Sequence, residues 1–135
     1  MVKEAKLSKE IVVTVTNKIG ILADMSRLLA DAGINIDAVA GYAVGNEARI
    51  MLVTPDDARA EETLKKANYT SIKLNDCIVV DLENKPGALK DITAKMASEM
   101  LDIKQIYGSA CTAGCPAKII ISTTDNQKAI AAFKK

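Results

Sequence analysis

Asn17-Lys18-Ile19-Gly20-Ile21-Leu22 returns 67 residues later as Asn84-Lys85-Pro86-Gly87-Ala88-Leu89. The same offset lays Ile11-Val12-Val13 on Ile78-Val79-Val80. It also lays Asp24, Ala30, Ile36, Gly41 and Ala43 on Asp91, Ala97, Ile103, Gly108 and Ala110. Twelve of the 33 positions 11–43 are identical to their counterparts. A repeat of fixed period means a duplicated supersecondary unit. The best-kept stretch sits where a strand pattern gives way to a helical one. Glycine there permits a tight turn and lets a ligand reach the backbone of the helix start.

Working outward, residues 9–16 alternate, with Ile11, Val13 and Val15 on one face, and 76–83 repeat this with Ile78, Val80 and Leu82. Residues 20–32 change to a helical period whose stripe is Leu22, Met25, Leu28, Leu29 and Ala32, closed by Gly33. The second stripe is Leu89, Ile92, Met96 and Met100, so that helix must end without a glycine. Second strands are predicted at 34–44 and 101–111. The apolar parity changes between Ile36 and Val39 and between Ile103 and Ile106, which predicts a bulge in both copies. Gly45-Asn46 predicts a hairpin turn into a strand at 48–53, matched by 117–122. Thr54-Pro55-Asp56-Asp57 reads as a cap, a first-turn proline and acids on the helix dipole, and Thr123-Thr124-Asp125-Asn126 does the same. Helices over 55–67 and 125–134 follow, and a strand at about 70–75 joins the copies.

The order β-α-β-β-α-β predicts an α+β fold of two ferredoxin-like units, antiparallel sheets with helices on one face. The expected division is 1–75 and 76–135, the second unit lacking its closing strand. Units of about 65 residues bury only about 60% of their unfolded surface and are marginal alone. Packing between halves, with a second chain, or both is therefore expected. Unpaired sheet edges also favour a homo-oligomer.

Composition removes several function classes. The charge is nearly balanced, 18 basic against 17 acidic residues, and there is one Phe and no Trp. Neither a nucleic-acid nor an anionic-membrane partner held by bulk charge is expected. No histidine is present, which removes the commonest general base and metal ligand. The start, Met-Val-Lys-Glu-Ala-Lys, lacks the apolar core of a signal peptide, no apolar run approaches a membrane span, and the cysteines are odd in number. A reduced, cytoplasmic protein without cofactor or metal is expected. Cys111 and Cys115 stand four apart and read as free thiols or a regulatory disulfide rather than a zinc set, and Cys77 as a buried strand residue.

The duplicated Asn-Lys-(Ile/Pro)-Gly-x-Leu loop resembles that of a tandem ACT-domain protein. So do the helix end Ala32-Gly33-Ile34-Asn35-Ile36 and its counterpart Leu101-Asp102-Ile103. The resemblance covers nearly the whole chain. It implies a stand-alone regulatory module that binds a small ligand, mostly an amino acid, and works with a metabolic enzyme or regulator. An amino acid's carboxylate suits the free N–H groups at Gly20-Ile21-Leu22. Its ammonium suits the side-chain oxygens of Asn17 and Asn35, as in serine-binding members, where the ligand lies between two ACT units joined at their second strands. The implied contact set is Asn17, Ile19, Gly20, Ile21, Leu22, Asn35 and Ile36 in the first copy. In the second it is Asn84, Pro86, Gly87, Ala88, Leu89 and Asp102, where Asp102 replaces Asn35 and changes the charge.

Plainer roles remain open for these residues: a tight-turn glycine, asparagines as turn formers, and solvated Lys18 and Lys85. Two other function classes also remain. One is a structural module that dimerises and docks a partner without ligand. The other is an enzyme of the acylphosphatase kind, for which the strand-to-helix loops lack the required Arg and no nucleophile–base pair is visible.

Overall fold

The computed structural model describes residues 2–110 and 115–134. The elements are β1 (Val2–Thr16), α1 (Ile21–Asp31), β2 (Ala38–Val44), β3 (Glu47–Val53), α2 (Asp57–Lys66), β4 (Ile72–Leu82), α3 (Ala88–Ser98), β5 (Ile103–Ser109), β6 (Ala117–Thr123) and α4 (Asn126–Phe133). They form two compact units, Lys9–Asn75 and a second made of Met1–Ser8 with Asp76–Lys135.

In the unit 9–75 the strand order is β2-β3-β1-β4, using the later part of β1 and the first residues of β4. β3 runs antiparallel to both β1 and β2, pairing Val13 with Ile50 and Gly41 with Ile50 from either side. The alternation of β1 sends Ile11 and Val13 to the helix face. There they meet Ile50 and Leu52 of β3, Ile21, Met25 and Leu29 of α1, and Ala60 and Leu64 of α2 in one core. Arg59 on α2 donates to the carbonyl of Ala32 at 2.6 Å, placing a cation at the C-terminal end of α1, where the helix dipole favours it.

In the other unit the order is β1-β4-β6-β5, with residues 2–8 of β1 on the outside. Its core joins Ile78, Val80 and Leu82 with Ala88, Ile92 and Met96 of α3, Ile121 of β6 and Ala129 and Phe133 of α4, and Val2 and Ala5 pack against it. This differs from the sequence expectation of a first unit 1–75 and a second unit without a closing strand. Residues 2–8, assigned above to the first unit, take that edge position. Their apolar side chains are too few for alternation to announce a strand.

Several local expectations are corrected. The second strands begin at Ala38 and Ile103 rather than at 34 and 101, because residues 34–37 and 101–102 connect helix to strand. Of the two expected bulges, the second is met by a register shift between Ile103 and Gln105, while β2 pairs with β3 regularly from Ala38. In the first copy the parity change falls before the strand starts. The caps of α2 and α4 are Asp56 and Asp125, not the threonines two residues before them. Thr54 and Thr123 instead accept from the amides of Asp56 and Asp125 through their hydroxyls.

Where Gly33 follows α1 at φ +73°, Met100 follows α3 at φ +58°. The helix without a terminal glycine thus bends into the left-handed region all the same. The repeated Gly41 and Gly108 have another reason. A Cβ on Gly108 would lie 2.6 Å from the carbonyl oxygen of Lys118 and 2.5 Å from Ile119 Cδ1; on Gly41 it would lie 3.0 Å from Ile50 Cδ1. Close strand approach selects glycine at Gly108, while at Gly41 only the end of the Ile50 side chain comes near. Cys77 is a fully buried thiol outside any disulfide. Cys115 is disulfide-bonded rather than a free thiol, a state that spacing alone cannot decide, and Cys111 lies outside the described residues.

Candidate functional site

The four helices start in two ways. α2 and α4 are capped by aspartate side chains, Asp56 accepting from the Arg59 amide at 3.2 Å and Asp125 from the Lys128 amide at 3.0 Å. α1 and α3 start at Gly20 and Gly87 and carry no side-chain cap. At α1 the Ile21 amide reaches back to Lys18 O at 3.4 Å, and the Asp24 amide is the first to bond a helical carbonyl, Gly20 O at 2.9 Å. At α3 the matching bonds are Ala88 to Lys85 at 3.3 Å and Asp91 to Gly87 at 3.0 Å. An uncapped first turn keeps N–H groups and the positive dipole end open to an anion.

Gly20 has φ +92° and Gly87 φ +90°, and a Cβ on either would meet nothing within 4 Å. The glycines therefore serve the left-handed turn, and the space above each helix start is open. Ile19 and Leu22 are exposed beside Gly20, while Ile21 turns into the core. Beside Gly87 the same division holds for exposed Leu89 and buried Ala88, and Pro86 is exposed in the loop. Asn17 is exposed and its amide bonds Asn46 O in the β2–β3 turn at 2.6 Å, tying the loop to that hairpin. Asn84 lines a depression of about 390 Å³ with Lys3, Glu83, Lys85, Cys115 and Pro116.

Asn35 does not join this group within its own unit. Residues 16 and 47 pair at one end of the strands, whereas Ala38 pairs with Val53 and the Asp37 amide bonds Val53 O at the other. The 11-residue helix α1 separates Gly20 from Asn35, about 16 Å at 1.5 Å per residue. Asn35 donates its Nδ2 to Asp37 Oδ1 at 2.6 Å, which leaves its Oδ1 as the outward acceptor. Ile36 is half-buried against the core. In the second copy Asp102 holds the same far-end position and exchanges bonds with Thr124 at 3.1 and 3.2 Å. The sequence-predicted residues thus form two groups in each unit, one at each end of the first helix.

Residues not foreseen also line the loop ends. Thr14, Thr16, Asn46, Glu47 and Ser71 edge a depression of about 460 Å³, and Lys3 borders the one beside Asn84. The two depressions share one equivalent position, since Glu83 stands 67 residues after Thr16. Lys3 was out of reach of a reading that assigned residues 1–8 to the first unit. The missing strand of the second unit was the signal that could have found it.

The loop-to-helix geometry and the sheet order agree with an independent comparison. Residues 9–69 match the ACT domain. The matched segment runs from β1 through α2 to Tyr69 and contains the Gly20 helix start. A protein from Bacteroides thetaiotaomicron has a solved structure that aligns with TM-score 0.88 at 23% identity, covering 96% of this chain and 88% of that one. The ligand-free regulatory subunit of aspartate kinase from Thermus thermophilus aligns with TM-score 0.69 at 17% identity, covering 99% and 97%. The same subunit from Thermus flavus aligns with TM-score 0.62 at 20% identity, covering 98% and 94%. At these identities the likeness establishes the fold, which extends over both units. No curated protein matches the sequence. Among the described residues, no helix is long and apolar enough to cross a membrane.

Proposed function

We propose that the chain is a non-catalytic regulatory module that binds a small ligand, an amino acid, at the uncapped start of α1. The observation that carries this reading is the contrast among the four helices. The two that follow the duplicated Asn-Lys-x-Gly loop are left uncapped with open space above the glycine, while the other two are capped by aspartates. A free amino acid's carboxylate fits the first group, and exposed Ile19 and Leu22 offer apolar contact for its side chain. The match to the ACT domain and the likeness to two regulatory subunits of aspartate kinase agree with regulation rather than catalysis.

Asn35 enters this site through a homodimer. β2 is the outer strand of its unit, and Val39, Tyr42 and Val44 along it are exposed. An unpaired, apolar edge invites a second copy. Antiparallel pairing of two β2 edges sets the start of one strand beside the end of the other. The partner subunit's Asn35 would then lie beside the Asn17–Gly20 loop, with its Oδ1 available to the ligand's ammonium. The same apolar edge favours the second reading, a module that docks a partner without any ligand.

A thermal-shift screen of the twenty amino acids separates the two. A ligand present at a hundred times its Kd stabilises the native state by about 2.7 kcal/mol and raises Tm by several degrees. One or a few amino acids should do this. A flat response across all twenty leaves the docking reading.

A further inference from the structure

We propose that Tyr69 is a positioning residue of the amino-acid site. It holds the Asp24 carboxylate clear of the open first turn of α1 and leaves that turn to the carboxylate of the ligand. The proposal rests on the reading of the Gly20 helix start as that site. Asp24 is the acid of the first turn, its amide bonded to Gly20 O at 2.9 Å. The positive end of a helix dipole favours any nearby anion, so an unheld Asp24 would compete there with a bound carboxylate. The structure engages both of its oxygens elsewhere. Tyr69 donates to Oδ2 at 2.5 Å, and Arg27 donates to Oδ1 at 2.8 Å.

The end of α2 sets Tyr69 in place. Asn68 turns at φ +73°. Its amide bonds Lys65 O at 3.0 Å, and the Tyr69 amide bonds Leu64 O at 3.1 Å. These paired bonds around a left-handed residue close a helix and fold the chain back across its end. The tyrosine ring thereby packs against the core of the unit, and its hydroxyl reaches α1. Tyr69 also lines one cavity with Lys18 of the loop and Ile21, the first residue of α1. Two cations face Asp24, Arg27 on its own helix and Lys18 from the loop. The second copy keeps the acid, with the Asp91 amide bonded to Gly87 O at 3.0 Å, but has Ala94 in the place of Arg27. The clamp on the acid belongs to the first copy.

The test is a double-mutant cycle read by titration calorimetry of the full chain. The probe is whichever of the twenty amino acids raises its Tm most. The proteins are the parent, Tyr69→Phe, Asp24→Asn and the double variant, each shown by circular dichroism to be folded at the temperature of titration. Tyr69→Phe keeps the ring and releases Asp24, and it should weaken binding about tenfold, the effect of a like charge brought beside the bound carboxylate. In the Asp24→Asn background the same change should cost less than about twofold, because no charge is left to hold. An equal loss in both backgrounds overturns the proposal, since the tyrosine then acts through the fold. No loss in either background overturns it as well. Failure of the underlying reading looks different: no amino acid titrates with the parent, or Gly20→Val binds as tightly as the parent. Either result removes the site and the role of Tyr69 with it.

Discussion

Tyr69 donates its phenolic hydrogen to Asp24 Oδ2 at 2.5 Å, across 45 positions of sequence. The bond fastens the segment after α2 to the first turn of α1, next to the Gly20 loop. Arg27 joins from the same helix, donating to Asp24 Oδ1 at 2.8 Å.

This pair sets a pH signature. Burial, and then the hydrogen bond to Asp24, push the Tyr69 hydroxyl up from 10.0 to about 12. A raised folded-state pKa stabilises fully below the unfolded value and is lost as pH rises through the folded one. Stability from Tyr69 should therefore fade between pH 10 and about 12. Asp24 is lowered, first by the Tyr69 bond and then by Arg27, so its share is present above the unfolded carboxylate value and lost on acidification. Ultraviolet titration should show a tyrosinate step near pH 12 that Tyr69→Phe removes. In that variant, NMR should find the Asp24 carboxyl moved back up toward its ordinary value.

Gly108 and Gly41 should differ in their tolerance of alanine. At Gly108 the added Cβ meets backbone, Lys118 O at 2.6 Å, as well as Ile119 Cδ1 at 2.5 Å. At Gly41 it meets the end of a flexible side chain, Ile50 Cδ1 at 3.0 Å, with Arg49 O at a comfortable 3.6 Å. Overpacking costs about 1–3 kcal/mol. Gly108→Ala should fall at or above the top of that range and Gly41→Ala near or below its foot, compared by urea denaturation.

Met100→Gly should stabilise the protein. Met100 sits at φ +58° and is 89% exposed, so its side chain contributes little packing to offset the strain. Relieving a left-handed non-glycine residue returns about 1 kcal/mol. The reverse change, Gly33→Met, should cost a similar amount, and chemical denaturation of both variants checks the symmetry.

Much of the fold was legible because duplication makes the sequence its own alignment. The alternation at Ile11–Val15 and Ile78–Leu82 places a core face, and the helical stripes do so through Met25 and Leu29 and through Ile92 and Met96, whereas Leu22, Leu89 and Met100 of the same stripes are exposed. What stayed hidden was long-range. Nothing local marks Val2 and Ala5 as edge residues of the unit that begins again at Asp76, because strand pairing is set by a partner far along the chain. The site was legible in part. The repeated glycine announced the left-handed helix starts at Gly20 and Gly87. The resemblance set Asn17 and Asn35 around a ligand between two units, and within one unit α1 holds the two asparagines apart, a consequence of helix length rather than of residue type.

The central claim is that an amino acid binds at the Gly20 helix start with the partner subunit's Asn35 completing the site. Titration calorimetry, with the amino acid found by thermal shift, of the parent, Gly20→Val, Asn35→Ala and Lys18→Ala tests it most directly. Gly20→Val should abolish binding, since a branched residue at φ +92° both strains the turn and fills the carboxylate's approach. Asn35→Ala should weaken it by about 10- to 150-fold, the loss of one hydrogen bond to a charged group, and Lys18→Ala should leave it nearly unchanged. Folded Gly20→Val and Asn35→Ala proteins that bind the ligand as tightly as the parent would contradict the account.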